Sequence, residues 1–257
     1  MQIFEARMLA QEYDIRGTLT MFSGFRFDED NPYTYREGKR LIRLMGLEFM
    51  KNRKLLKALG GDEEGKGRPA LTEGEDGSVW NIIPRREARG LPFTSFPHAT
   101  MVLRPADAAV AITIPNGMKG GIKRRLLEKG RDRFAQMLSV VEANLRGILK
   151  KAPTAKPMFY IIQRHYRSQR SFPDTDGKIE ADLRTILPPA SGHIRHQPGW
   201  LDAMYSILTC KRTNIQAGIE VHFPYSAPRM RDPGAIGVLV DAWIALTPLM
   251  AFFQHGG

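Results

Sequence analysis

The sequence predicts an α+β fold, because runs that alternate polar and apolar residues are interspersed with longer runs that place apolar residues at helical spacing. Within residues 1–170 these runs follow the order strand, helix, hairpin, helix, strand. That is the order of a ferredoxin-like (RRM-like) unit, so we expect a ferredoxin-like domain with insertions.

The N-terminal part begins with two predicted strands, at 3–8 and 16–22. Residues 35–59 carry leucine, methionine and phenylalanine mostly on one helical face and predict a helix, which a pair of glycines ends. The polar, acidic stretch that follows, 60–78, is expected to form an exposed loop.

A tight hairpin comes next, with apolar strands predicted at 99–104 and 108–114. Glycines at 117–121 break the chain before a long helix, 122–151, whose apolar residues recur at helical spacing. Two prolines end this helix, and a strand at 158–166 completes the predicted unit.

The C-terminal part shows weaker patterns. We predict a strand at 178–187, a helix at 198–210, a strand at 215–223 and an apolar helix at 234–253, with Pro248 as a candidate break in that helix.

Two domains are therefore expected. Residues 1–170 would form the ferredoxin-like domain, with a helical and loop insertion at about 35–92. Residues 171–257 would form a second, degenerate α+β unit packed on the first.

The charge of the chain indicates a polyanionic partner. The 257 residues include 38 Lys and Arg against 27 Asp and Glu, for a formal net charge of +11. A surface of this sign favours nucleic acid first and acidic membranes second. The ordinary apolar and charged fractions, 42% and 25%, exclude a disordered, collagen-like or coiled-coil chain.

Metal, cofactor and membrane partners are not expected. Cys210 is the only cysteine, which excludes a disulfide framework and a thiolate zinc site. His193 and His196 have no further ligand at a fitting spacing. The apolar run 234–253 contains Asp241 and a proline and is interpreted as a packed helix, and no signal peptide precedes it, so a cytoplasmic protein is expected.

Two predicted helices hold most of the positive charge. Residues 119–151 contain ten basic and three acidic residues, and residues 36–59 contain eight basic and two acidic residues. One basic helix is commonly a solvated face, but two helices of the same sign in one domain favour a phosphate-binding surface.

The turn before the second basic helix is the most informative segment. Glycines let a phosphate approach the main chain, and the N–H groups and dipole of the helix that follows favour negative charge. The sequence matches neither a P-loop nor a dinucleotide-binding fingerprint. The phosphate-binding residues predicted here are Lys119, Gly120, Gly121, Lys123, Arg124 and Arg125.

The strand at 158–166 and its continuation interleave aromatic and basic residues, a pattern that suits base stacking and phosphate contact. His165 and Tyr166 are the candidate catalytic residues for metal-independent RNA cleavage, which needs an acid, a base and a nearby cation. Further predicted RNA contacts are Arg164, Arg167 and Arg170 here, and Arg229 and Arg231 in a later loop.

Residues 114–125 resemble a motif of the RAMP superfamily of CRISPR effector proteins. Ile114-Pro115, Met118-Lys119-Gly120 and Ile122-Lys123 match a strand that ends in Ile-Pro and a Lys-Gly turn that opens a helix. Arg16-Gly17-Thr18-Leu19 is similar to the usual first strand of that superfamily, and Gly234-Ala235-Ile236-Gly237 hints at its C-terminal glycine-rich loop.

The resemblance implies a subunit that binds CRISPR RNA together with other effector-complex subunits, and it leaves open whether the subunit also cuts the precursor RNA. A plasmid- or phage-encoded DNA-binding accessory protein without enzymatic activity is the alternative. A third interpretation is a basic structural subunit that binds an acidic partner protein.

Overall fold

The computed structural model describes residues 24–27, 29–30, 32–62, 72–73, 77–118, 120–165, 174–188, 194–210 and 214–254. The α-helices in this part of the chain are α1 (Tyr35–Lys51), α2 (Arg53–Leu59), α3 (Ile122–Lys129), α4 (Arg131–Lys151), α5 (Leu183–Ile186), α6 (Trp200–Thr209) and α7 (Ala235–Phe253). The strands are β1 (Thr72–Glu73), β2 (Val79–Ile82), β3 (His98–Leu103), β4 (Asp107–Ile114), β5 (Lys156–His165), β6 (Asp174–Asp182) and β7 (Ile215–Pro224).

All of these strands form one sheet in the order β1-β2-β3-β4-β7-β5-β6. Every neighbouring pair is antiparallel, and six of the strands have four residues or more, with the two-residue β1 at one edge. The predicted α+β class is therefore confirmed.

The C-terminal strand β7 lies in the middle of the sheet. It pairs with β4 on one side and with β5 on the other, so that Ala217 is opposite both Ile114 and Ile161. β7 is thus an interior strand of the sheet. The predicted strands at 3–8 and 16–22 lie outside the described residues. The division into domains 1–170 and 171–257 stays a prediction; one sheet takes strands from both parts.

Helices cover one face of the sheet and bury the core. α7 packs against β4 and β7, with α4 on one side of it and α1 and α2 on the other. The rings of Phe49 and Trp243 meet edge to face at 4.8 Å, and the indole N–H of Trp243 donates to the carbonyl of Ala111 over 3.0 Å. Both side chains are fully buried, so this contact fixes α1 and α7 on the sheet.

Among the described helices, α7 alone is long and apolar enough to cross a membrane by length and composition. Within the protein 61% of its most apolar window is buried, as expected for a core helix. The predicted break at Pro248 is wrong, because α7 continues through this residue to Phe253.

Both predicted basic helices are divided where the sequence pattern is continuous. The helix expected at 35–59 ends at Lys51, and Asn52 caps α2 by accepting a hydrogen bond from the Leu55 N–H over 3.0 Å. The helix expected at 122–151 is interrupted at Gly130, whose φ of 84° belongs to the left-handed region. The apolar spacing continues across both breaks, which is why periodicity missed them.

The other elements differ from prediction mainly at their ends. The strand expected at 178–187 is β6, which ends at Asp182 and is followed by the single helical turn of α5. β2 was not predicted, because it lies inside the segment interpreted as an insertion.

Candidate nucleic-acid interface

The strand register brings the two informative segments to one end of the sheet. β4 and β5 run in the same direction on either side of β7, and Ile114 and Ile161 lie at the same level. The turn after β4 therefore lies at the same end of the sheet as Arg164, which is near the end of β5. The two strands are about 10 Å apart, because β7 lies between them.

The glycine turn, described at residues 115–118 and 120–121, contains two residues with a backbone that only glycine adopts readily. Gly120 has a φ of 84° and Gly121 a φ of 69°, and Gly121 is the N-cap of α3 without a side-chain hydrogen bond to the first turn. The Gly121 N–H itself donates to the Met118 carbonyl over 2.9 Å. A Cβ on Gly121 would meet no atom within 4 Å, so the outer side of the turn is open to a ligand.

Cationic side chains flank the opening of this turn. Lys123 and Arg124 are exposed in the first turn of α3, and Arg124 Nε also donates to Glu128 over 2.7 Å. A shallow open depression of about 560 Å³ lies against them. The described residues that line it are Gly120, Gly121, Lys123, Arg124, Leu127 and Glu128.

Arg125 does not share this exposure. Only 8% of its surface is accessible, because it lies on the inner side of α3 with Ile122 and Leu126. It lies mostly below the surface of the helix, and its predicted phosphate contact stays a prediction. α3 is held from behind by α6, where the Tyr205 hydroxyl donates to the Leu126 carbonyl over 3.1 Å.

The basic end of β5 is described only in part. Arg164 is half-buried, and its backbone N–H donates to the Asn214 carbonyl over 2.9 Å. The pairing of β5 with β6 shifts register at this point, between Gln163 and Arg164. The side chain of His165 is outside the described set, as are the residues Lys119, Tyr166, Arg167 and Arg170. The catalytic assignment of His165 and Tyr166 therefore stays a prediction.

Arg229 and Arg231 lie elsewhere. They follow the C-terminal end of β7, which is the opposite end of the sheet from the glycine turn. Arg229 pairs with Asp232 at 3.3 Å, and Arg231 Nε donates to the Tyr225 carbonyl over 3.1 Å. The structure does not bring this patch together with the other predicted contacts.

A buried row of hydroxyl groups, which sequence reasoning missed, crosses the sheet face opposite the helices. The Tyr160 and Thr113 hydroxyls are 2.9 Å apart, and those of Thr113 and Thr100 are 3.3 Å apart. Tyr160 reaches Thr113 by passing over Gly218, where a Cβ would lie 2.5 Å from the Tyr160 hydroxyl. Burial raises the pKa of Tyr160 to about 12, although the hydrogen bond with Thr113 opposes this shift.

A cluster of charged groups lies on the same face of the sheet, towards the end that is opposite the glycine turn. It consists of Arg104, Asp107, Glu220 and His222. Arg104 Nη1 donates to Asp107 over 3.1 Å and Nη2 to Glu220 over 2.6 Å, while His222 lies 3.5 Å and 3.8 Å from the same two carboxylates. Burial alone would lower the pKa of Arg104, but Glu220 and Asp107 raise it overall. Burial likewise opposes ionisation of Asp107, but His222 and Arg104 leave its pKa below the usual value.

The sequence did contain a signal for the row of hydroxyl groups and for the cluster of charged groups. Thr113, Glu220 and His222 are polar residues inside otherwise apolar strands, and alternation places them on one face. Within the described ranges, no group of three His, Cys, Asp or Glu side chains could hold a metal ion.

Comparison with protein-family models, with curated proteins and with solved structures found no match to this chain. The functional interpretation accordingly depends on the geometry described above.

Proposed function

We propose that the protein binds RNA by its phosphodiester backbone at the end of the sheet that carries the glycine turn. The observation that supports this most directly is the uncapped N-terminus of α3, opened by Gly120 and Gly121 and flanked by the exposed Lys123 and Arg124. Backbone N–H groups, the helix dipole and two cations converge there, which is an arrangement suited to a phosphate.

We propose further that the sheet contains a ferredoxin-like unit in permuted order. β3, β4, β7 and β5 are neighbours in an antiparallel sheet, and α4 and α7 pack together on one face of it. A ferredoxin-like unit has this arrangement with its first strand and first helix in the places of β7 and α7. The strands and helices would then follow one another along the chain in a different order from the usual unit. Their arrangement in a sheet layer and a helix layer would be the same.

Within this proposal the resemblance of residues 114–125 to RAMP proteins suggests a CRISPR RNA as the ligand and effector-complex subunits as further partners. RNA cleavage at His165 and Tyr166 is a separate question from binding. The alternative, a DNA-binding accessory protein, would use the same phosphate contacts but would bind deoxyribose nucleic acid more tightly than RNA.

The test is a charge reversal of the exposed pair, Lys123→Glu with Arg124→Glu, measured against labelled RNA over a range of salt. Loss of two phosphate contacts should weaken binding to all sequences alike and reduce the slope of log K against log salt by about 1.4, at about 0.7 per contact for a single strand. The matched control is Lys156→Glu with Arg195→Glu, which reverses two exposed charges outside both basic helices.

Unchanged affinity in the Lys123 and Arg124 variant, or an equal loss in the control, would remove the glycine turn from the proposal. The sugar preference is measured with RNA and DNA oligonucleotides of one sequence. Tighter DNA binding would contradict RNA as the ligand and support the accessory-protein alternative.

A further inference from the structure

An exposed aromatic ring lies beside the glycine turn, and the packing of the fold does not explain why it is exposed. Phe93, in the 3₁₀ turn Phe93–Ser95, is 41% exposed although it is surrounded by other rings. Its centroid lies 5.9 Å from Trp80 and 5.5 Å from His98, at interplanar angles of 64° and 90°. These edge-to-face contacts fix the ring orientation.

One of the two ring partners of Phe93, His98, is buried and hydrogen-bonded. His98 is 7% exposed, and its Nδ1–H donates to the Phe96 carbonyl over 3.0 Å. Burial lowers the pKa of His98 to about 4, so its ring is neutral near pH 7 and adds no charge beside Phe93. The ring of Phe93 is therefore held in place before any ligand binds, which reduces the entropy lost on binding.

This ring is next to the proposed phosphate site. A Cβ on Gly117 would lie 2.9 Å from the Thr94 carbonyl, so the segment that carries Phe93 contacts the turn that leads to Gly120 and Gly121. A strand whose phosphate lies at the glycine turn would thus pass an exposed aromatic ring.

We infer that Phe93 is a nucleobase-stacking site, and that it binds one base of the single-stranded RNA whose backbone the glycine turn holds. This inference rests on the proposed function. Stacking on an aromatic ring tolerates any base, because every base has a π-face, so the contact would add affinity without selecting a sequence. It also predicts a preference for unpaired RNA, because a paired base cannot reach the ring.

The experiment compares two probes of equal length and charge, a labelled 12-mer oligouridylate and a 12-mer sugar-phosphate chain without bases. The wild-type protein should bind the oligouridylate more tightly. Phe93→Ala should weaken oligouridylate binding about fivefold or more and leave binding of the abasic chain within twofold, while Phe93→Tyr should keep the stacking. Leu47→Ala, which alters an apolar residue 58% exposed on α1, is the matched control and should change neither affinity.

The two proposals fail in different ways. Equal wild-type affinity for both probes, or equal losses for both probes in Phe93→Ala, would overturn the stacking site and leave the backbone site intact. Binding of neither probe by the wild-type protein would overturn the proposed function itself. A loss in the Leu47 control as large as that in Phe93→Ala would also overturn the stacking site.

Discussion

Arg104 and Glu220 are 116 positions apart in the chain, and a hydrogen bond of 2.6 Å joins the Arg104 guanidinium to the Glu220 carboxylate. The Glu220 side chain is 8% exposed and that of Arg104 is 22% exposed, so the pair is largely removed from water. A charge in this position depends on its partner, because water cannot replace the missing contact.

Arg104→Met is expected to lower the free energy of unfolding by roughly 3 kcal/mol, because it leaves Glu220 charged and buried. Urea unfolding monitored by circular dichroism measures the loss. The double variant with Glu220→Gln removes both charges and should be more stable than the sum of the two single losses predicts. Strict additivity would show that the two groups do not interact.

His98 should make stability depend on pH on the acid side of neutrality. Its folded pKa, about 4, is below the usual value of 6.5, so the unfolded chain binds a proton first as the pH falls. The contribution of His98 to the free energy of unfolding is therefore complete above pH 6.5 and decreases as the pH falls towards 4. We expect the contribution of His98 to the free energy of unfolding to fall by about 2–3 kcal/mol between pH 7 and pH 4.5.

The comparison is His98→Asn, which keeps a donor near the Phe96 carbonyl but does not titrate. The difference in unfolding free energy between wild type and variant should shrink by this amount as the pH falls from 7 to 4.5. A difference that stays constant with pH would show that His98 is not held neutral.

Gly218→Ala should destabilise the sheet by about 1–3 kcal/mol, because the added methyl group would lie 2.5 Å from both the Tyr160 hydroxyl and the Ile112 carbonyl. Thermal unfolding measures the destabilisation as a decrease in Tm. Gly237→Ala is the control, since a Cβ there meets no atom within 4 Å on an exposed part of α7. The control is expected to be neutral or stabilising by up to about 1 kcal/mol, and a loss at Gly237 similar to that at Gly218 would contradict the steric explanation.

Arg85 joins three segments with one buried guanidinium. Its Nε donates to the Leu59 carbonyl and its Nη1 to the Pro97 carbonyl, both over 2.9 Å, and 4% of the residue is exposed. Arg85→Lys cannot reproduce this fork and should cost roughly 2 kcal/mol in urea unfolding. Arg86→Lys, at the exposed neighbour, should stay within about 0.5 kcal/mol; similar losses in the two variants would refute the role of the fork.

The α+β class and most element positions could be predicted, because they depend on local patterns. The apolar run of β4 and the alternation of β7 identified both strands to within about a residue, and the glycine pair identified the end of α2. The place of β7 could not be predicted, since pairing between distant strands has no local signature in one sequence.

Sequence reasoning selected some residues of the candidate site and missed others. Glycines and cations before α3 predict a phosphate site, and Lys123 and Arg124 are exposed there. Arg125 has the same charge and adjoins them in sequence, yet helical geometry turns it inward. Phe93 was missed because an isolated aromatic residue in a loop carries no periodic signal.

The central position of β7 has a consequence for synthesis on the ribosome. Until residues 215–224 emerge, β4 and β5 each lack one antiparallel neighbour, and the hairpins β3-β4 and β5-β6 share no hydrogen bonds. The nascent chain then presents two bare apolar edges that invite mispairing, the situation in which holdase chaperones act. Closure of the sheet therefore waits for the last of the described strands to be translated, and a ribosome stalled before residue 215 would hold two separate half-sheets.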